Sequence, residues 1–408
     1  MKILTVVDNL TKGGTQRSAQ GFAEGYYELN YDSRIVALYG LGHRYDEIKD
    51  YIPVWEGLTD TNCTEIKEWQ PDIIHIHSHG PKEEEINKII TLKDVKTTII
   101  ETNVFSKPSP WAEKVDISFQ LSKWALWIFN LRSGWKYQSS VVANPIKCNA
   151  FKRPSDSDIT IFKEKNNIPT DAFVIGRIGQ AYDGKWSLML IDSFNELSKK
   201  LPNLYLLIIN PPEFIVNASK NSPYSKNIIH IPRIIGDKNL ALAYGAMDIM
   251  VHIAVQGESF GMVFTEAILC ETPVVALSTP WGDNSQCEVV GNNKGGIIVN
   301  SAKGINNAIL SIKNNGSEPF KNGKEHIKEQ FDYITVAKKA IANVNGDVKK
   351  SQISTNDIVK ILKDSNDKPT LLTILFLKIN KDWFRQKAIY TSRYRSISQL
   401  LKSIKNRL

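Results

Sequence analysis

Cysteine is scarce in this chain of 408 residues: four are present, Cys63, Cys148, Cys270 and Cys287, with no C-x-x-C pair among them. That excludes a disulfide scaffold and offers no structural zinc pattern, so a reducing, cytoplasmic setting is expected. Long hydrophobic runs are missing too. The longest near the C-terminus, Leu371 to Leu377, is broken by Thr373 and falls far short of the ~20 residues a membrane helix needs. The opening MKILTVVDN lacks a signal peptide's long apolar core and reads as a first strand. No repeat occurs at solenoid periods. What remains, 42% hydrophobic and 23% charged residues, is the composition of a soluble globular protein, long enough for two domains and a tail.

The most informative stretch is DIMVHIAVQGESFGMVFTEAILCETPVVAL, residues 248–277. An apolar run from Ile249 to Ile253 has the length of a buried strand. A loop carrying Gly257, Glu258, Ser259 and Phe260 follows, then a helical segment from about Met262 to Glu271, stopped by Pro273. Val274 to Leu277 is a second strand. Strand, loop, helix, strand is the unit of a parallel sheet, and its helix N-terminus stands where such folds bind ligands. The amides of Gly261, Met262 and Val263 are first-turn donors that favour an anion such as phosphate. Glu266 lies about a turn further on, some ~6–8 Å at ~1.5 Å per residue, where it suits a ribose diol. Glu258 flanks the anion on the other side and suits a second polyhydroxyl group. Taken alone, both glutamates also read as ordinary solvated charges. In context, GESFGMVFTEA resembles the E-x7-E signature of retaining glycosyltransferases of the GT-B fold, the GT4 family above all.

Further segments fit the same resemblance. Arg177 and Lys185 flank the loop after a strand FVIGRI, where cations meet phosphate. They resemble the family's GR…K motif, with Lys185-Trp186 in place of Lys-Gly. Near the N-terminus the strand Lys2 to Val7 runs into a Gly13-Gly14 turn and a helix from about Thr15 to Leu29. A glycine turn there is either an ordinary tight turn or a close approach to ligand. It looks like the family's GG-x-x-R loop, which implies Gly13, Gly14 and Arg17 as cleft residues. Many relatives carry a histidine after the fifth strand. Here Thr102 or Asn103 stands at that place, so a histidine-assisted step is not expected, and Asn103 is a candidate for a sugar hydroxyl.

Alternating strands and helices predict an α/β protein with two Rossmann-like, doubly wound parallel-sheet domains facing a cleft, and a C-terminal helical extension. Strands are expected at Ser33 to Tyr39, Ile73 to His77, Thr97 to Glu101, Ile117 to Leu121 and Val141 to Ala143 in an N-terminal acceptor-side domain, residues 1–150. Those at Phe173 to Ile178, Leu204 to Ile209, Ile228 to Ile231, Ile249 to Ile253, Val274 to Leu277 and Gly296 to Val299 belong to a nucleotide-sugar domain, residues 151–345. Residues 152–170 read as a polar linker, and RIIGDKNLALAYGAMD (233–248) as the loop and helix beside the nucleobase.

Two patterns invite a metal. His75, His77 and His79 alternate along a strand, but in the middle of a sheet; Asp156-Ser-Asp158 is formally D-x-D, but in the linker. Neither is read as a metal site. After residue 345 the chain turns polar, and 371–408 holds nine Lys or Arg against one acid, Asp382. That excess of eight equals the whole chain's net charge of +8. Interleaved with Trp383, Phe384 and Tyr390, the tail suits a helix docked on the N-terminal domain or the inner face of an anionic membrane; nucleic acid is not expected.

The resemblance implies transfer of a sugar from a UDP- or GDP-linked donor to a hydroxyl of a saccharide or lipid-linked acceptor, as in polysaccharide biosynthesis. The anomeric configuration would be retained, with no metal and no cofactor beyond the donor. Arg177, Lys185 and Glu258 are the implied catalytic groups; Gly13, Gly14, Gly261, Met262, Val263 and Glu266 would hold the donor. A sugar-nucleotide epimerase on the same fold and a non-catalytic, membrane-associated nucleotide-sugar-binding protein remain the alternatives.

Overall fold

The computed structural model describes residues 1–11, 13–78, 83–280, 282–347 and 353–366, with positions 369, 371, 373, 374 and 377 beyond them. The first sheet is built from β1 (Lys2–Val7), β2 (Asp32–Ala37), β3 (Val54–Glu56), β4 (Ile73–His77), β5 (Thr98–Asn103), β6 (Ile117–Gln120) and β7 (Ser139–Val141). The second is built from β8 (Phe173–Ile178), β9 (Leu204–Ile209), β10 (Ile228–Ile231), β11 (Ile249–His252), β12 (Val274–Leu277) and β13 (Gly296–Val299). Their spatial orders are β3-β2-β1-β4-β5-β6-β7 and β10-β9-β8-β11-β12-β13. Every pairing between these strands is parallel. The expected doubly wound architecture is therefore the one observed.

Parallel neighbours cannot be joined by a tight turn, so each connection crosses over and helices cover both faces. The strands are accordingly apolar on both sides. Leu4, Val6, Ile74, Ile76 and Ile99 fill one side of the first sheet, while Ile3, Ile73, Ile100 and Phe119 fill the other. The strand order reverses between β1 and β4 and again between β8 and β11. Crossovers leave from opposite faces at such a point and open a crevice beyond the carboxyl ends of the strands.

Four expectations need correction. The edge strand β3 was not anticipated, because three residues are too short for a periodic signal. Residues 152–170 are not simply a linker: helix Asp156–Lys165 occupies most of them. Ser155 caps it, accepting from the Asp158 amide at 3.2 Å, and Asp156 and Asp158 sit in its first turn, where acids suit the helix dipole. The stretch after 345 is also more ordered than its polarity suggests. Helix Thr355–Lys363 starts with a Ser354/Asp357 capping box and buries Ile358 and Leu362 against Trp124 and Trp127. The last strand of the first sheet lies at 139–141 rather than 141–143.

Helix Tyr333–Val344 returns to the first domain, where Val336, Ala337 and Ala340 pack with Phe22 and Tyr26. Two hydrogen bonds knit the crossing chains, Ile146 N to Phe331 O at 2.7 Å and Tyr333 N to Ile146 O at 3.0 Å. Among the described residues no helix is long and apolar enough to cross a membrane. Most of the basic segment 371–408 lies outside the described residues, as does His79.

His75 and His77 are fully buried on β4. Tyr26 OH lies 2.9 Å from His75 Nδ1 and Thr102 Oγ1 lies 2.8 Å from His75 Nε2, whereas neither ring nitrogen of His77 has a partner among the described residues. Burial drives both pKa values down, His77 to about 3, so both rings are neutral in the fold. In the unfolded chain they titrate near ~6.5. Below that pH the unfolded state binds more protons, so stability should fall as pH drops from about 6.5 towards 3, by up to ~1.4 kcal/mol per pH unit for each histidine. Urea midpoints across that range should show the slope, and His77→Leu should flatten part of it.

Candidate functional site in the interdomain cleft

The loop after β11 and the helix that follows create the centre of the site. Helix Met262–Leu269 is preceded by Gly261 at φ +85°, a left-handed conformation that places the first-turn amides of Met262 and Val263 at the end of the loop. A Cβ on Gly261 would stand 2.2 Å from the Phe264 ring, so only glycine fits both the dihedral and the space. Across the cleft, Gly13 stands at the N-cap of helix Gly14–Glu28 at φ +154°, a positive value that favours glycine. A Cβ placed on Gly14 would lie 4.0 Å from Met262 Sδ. The two glycine turns, distant in sequence, thus face each other.

Glu258 lies in the loop that leaves β11, at the second reversal point. Its Oε2 accepts from Lys185 Nζ at 2.5 Å, and its Oε1 lies 3.0 Å from His252 Nε2. Burial alone would raise this carboxyl, but Lys185 and then His252 outweigh it and bring it down to about 2. The loop is clamped from behind: Ser285 N donates to Glu258 O at 3.1 Å, and Gln256 N donates to Gly184 O at 3.1 Å. Lys185 belongs to a 3-10 turn, Asp183–Lys185, directly after β8. Its side chain keeps 25% exposure, so the ammonium faces the cleft as well as Glu258.

Arg177 is arranged differently from the open cation expected. It is 1% exposed, with its guanidinium carbon 4.9 Å from the Trp186 ring centroid. It donates to the carbonyls of Ile178 and Lys185, the latter at 2.9 Å, so it ties both ends of the Gly179–Lys185 loop together. Burial lowers its pKa to about 10, against the raising influence of Glu258. It therefore remains a cation at neutral pH, beneath the loop rather than in the cleft.

Glu266, only 5% exposed, joins the two domains. Tyr244 OH donates to its Oε2 at 2.7 Å, and Arg17 from helix Gly14–Glu28 forms an ion pair with its Oε1. The same guanidinium pairs with Asp237 and lies 5.2 Å from the Phe151 ring. Burial would lower the Arg17 pKa, but Glu266 and Asp237 raise it overall. A second seam closes the cleft further along. Ser122 and Ser285 are joined through their hydroxyls at 2.7 Å, and Glu288 accepts from the Lys123 and Trp124 amides at 3.0 and 2.9 Å. Glu288 of one domain thereby caps the N-terminus of helix Lys123–Ser133 of the other.

Asn103 does not stand free. Its amide donates to Lys107 O at 2.8 Å and its Oδ1 accepts from Phe105 N at 3.1 Å, which shapes the loop after β5. It lines a cavity of roughly 560 Å³ with Glu101, Phe105 and Trp111 in the first domain. No three His, Cys, Asp or Glu side chains converge as a metal cluster among the described residues.

The geometry thus brings together Gly13, Gly14, Arg17, Lys185, Glu258, Gly261, Met262, Val263 and Glu266 around one cleft, with Arg177 beneath it and Asn103 in a separate cavity of the first domain. Sequence reasoning did not single out His252, Asp237, Tyr244 or Glu288. Asp237 and Tyr244 lie in the stretch assigned to the nucleobase side, and polar residues in an apolar helix were the available signal. His252 ends an apolar strand, where a lone histidine reads as core.

Residues 158–329 match the family model described as Glycosyl transferases group 1. No curated protein matches the chain in sequence. Among solved structures, the Anabaena protein HepE in complex with UDP and glucose superposes with a TM-score of 0.68 at 16% identity, over 85% of this chain and all 100% of that one. A glycosyltransferase from Rickettsia africae gives 0.68 at 18% identity, covering 86% and 99%. Sucrose-phosphate synthase from Thermosynechococcus elongatus gives 0.65 at 14% identity, covering 85% and 99%. At these identities the likeness shows the fold, which is GT-B.

Gly261→Ala should destabilise the protein by about 1–3 kcal/mol, because alanine cannot hold the left-handed cap without strain. Thermal unfolding measures the effect; an alanine variant of unchanged stability would show that the turn tolerates a side chain.

Proposed function

We propose that the protein is a retaining, metal-independent glycosyltransferase of the GT4 type, and that it transfers a sugar from a nucleotide diphosphate donor to a hydroxyl of a saccharide or lipid-linked acceptor. The observation that carries this reading is the Lys185–Glu258 pair, 2.5 Å apart beside the Gly261 helix tip, inside the segment that matches the group 1 family model. The family match and the GT-B fold support transfer as the reaction class.

The chemistry follows from charge. As the glycosidic bond breaks, negative charge grows on the departing diphosphate. Lys185 and the amides of Gly261, Met262 and Val263 meet it directly, while Arg177 adds positive potential from below. These groups supply the role a divalent cation would otherwise fill. Glu258, ionised at any physiological pH, accepts hydrogen bonds from donor-sugar hydroxyls and orients the ring. Glu266 accepts from the ribose; each of its oxygens already has one partner, Arg17 or Tyr244, and retains a lone pair for a hydroxyl. Gly13 and Gly14 let the first domain's backbone approach the diphosphate. The acceptor enters from that domain. The acceptor attacks from the front face, and the leaving phosphate takes its proton.

HepE structures contain UDP and UDP-glucose, so uridine donors are the first to test. Nucleoside diphosphate release, measured over a panel of donors and acceptors, should require both partners. Donor turnover without any acceptor would favour the epimerase, and none with any donor a binding protein. Lys185→Ala should lower kcat by ~10²–10³, the cost of one preorganised donor to the developing charge. Activity should survive EDTA; complete loss restored by Mn²⁺ or Mg²⁺ would overturn metal independence.

A further inference from the structure

His252 closes strand β11 and is 1% exposed. Its ring stands edge-on to Phe264, with centroids 4.6 Å apart and planes at 69°. Phe264 is in turn held by the Gly261 turn, so the imidazole is wedged between a strand end and a helix start. Its Nε2 lies 3.0 Å from Glu258 Oε1, whereas its Nδ1 has no partner among the described residues. Burial, reinforced by Arg177, keeps the ring neutral, with a pKa of about 4. A neutral imidazole carries one ring proton, and among the described residues the one acceptor in reach of the ring is the carboxylate, so the proton sits on Nε2 and is donated to Glu258.

The two partners of Glu258 differ in kind. Lys185 is the end of a flexible four-carbon stem, 25% exposed, with its ammonium 3.5 Å from Gly257 O as well as beside the carboxylate. An arriving diphosphate competes with Glu258 for that ammonium. His252 has no such freedom: it is neutral, enclosed and fixed by its strand. We propose that His252 is a positioning residue whose Nε2–H holds the Glu258 carboxylate towards the donor sugar while the Lys185 ammonium turns to the leaving diphosphate. The proposal rests on the transferase reading above and assigns to the chain a residue that reading does not use.

The test compares side chains of different reach. Gln places an amide N–H near the position of Nε2; Asn stops short of Glu258; Leu offers no donor. His252→Leu and His252→Asn should lose kcat by up to ~10²-fold, the scale of a misplaced catalytic group, with little change in donor KM. His252→Gln should recover most of it. In a Glu258→Gln background, His252→Leu should cost little more, since the group it positions has already lost its charge. Thermal unfolding of each variant identifies any that fail to fold, and the Gln/Asn pair keeps the comparison if the Leu variant does. Equal losses in Gln and Asn variants, or a Leu loss that adds in full to that of Glu258→Gln, would overturn the proposal. A ¹⁵N–¹H spectrum of the histidine rings gives a readout independent of turnover: a neutral Nε2–H ring for His252 at pH 7 is expected, and a cationic or Nδ1–H ring would overturn the assignment. If no sugar nucleotide is turned over by the unaltered protein, the transferase reading fails, while the spectrum still reports on the His252–Glu258 bond.

Discussion

Everything in this molecule depends on the reversal of strand order within two parallel sheets. A parallel sheet forces a crossover at every connection, and the change of direction leaves one gap per sheet where neighbouring loops part. In the second sheet that gap lies between β8 and β11, and the loops leaving these strands carry Lys185 and Glu258. In the first it lies between β1 and β4, and the loop leaving β1 carries Gly13 and Gly14. Setting the two gaps face to face makes one cleft whose walls are loop ends and one helix tip. The rest of the core holds these ends at fixed spacing.

Electrostatics divides the cleft into two halves. At one end Lys185, Glu258 and His252 form a chain in which a cation, an anion and a neutral donor each have a partner, so a carboxylate can remain ionised while nearly enclosed. At the other end Arg17 reaches across from the first domain to Asp237 and Glu266. The first cluster lies within one domain. The second bridges both and, with Glu288 on the helix Lys123–Ser133, holds the domains together on both sides of the crevice. Under the proposed function, an anionic donor would meet cations already balanced by carboxylates, so its binding would redistribute those pairs rather than fill vacant positions.

Much of this was legible before any coordinates. Residues 248–277 announce strand, loop and helix because local apolar periodicity, Gly261 and Pro273 leave few alternatives. Arg177, too, was found by its place at the end of a strand, but not its environment. Whether a guanidinium faces a cleft or a ring 4.9 Å away is decided by Trp186, and rotamers are not written in spacing. The helix Asp156–Lys165 was hidden by polar composition, although Ser155 with acids after it is a cap signal. Helix Thr355–Lys363 was hidden likewise, with Trp124 and Trp127 as its unseen partners.

By itself the sequence determined two doubly wound domains, the glycine-led helix start after β11 and the positions of the two glutamates on either side of it, because each follows from residues within about a turn or a strand of one another. Only the tertiary structure decided that Arg17 meets Glu266 across 249 positions, that Glu288 caps a helix 164 or more residues away, and that His252 rather than solvent holds Glu258. The physical reason is range. Backbone preference and apolar period act over a few residues, whereas buried charges must find partners wherever the folded chain brings them, and that partner list exists only once both sheets have closed on the cleft.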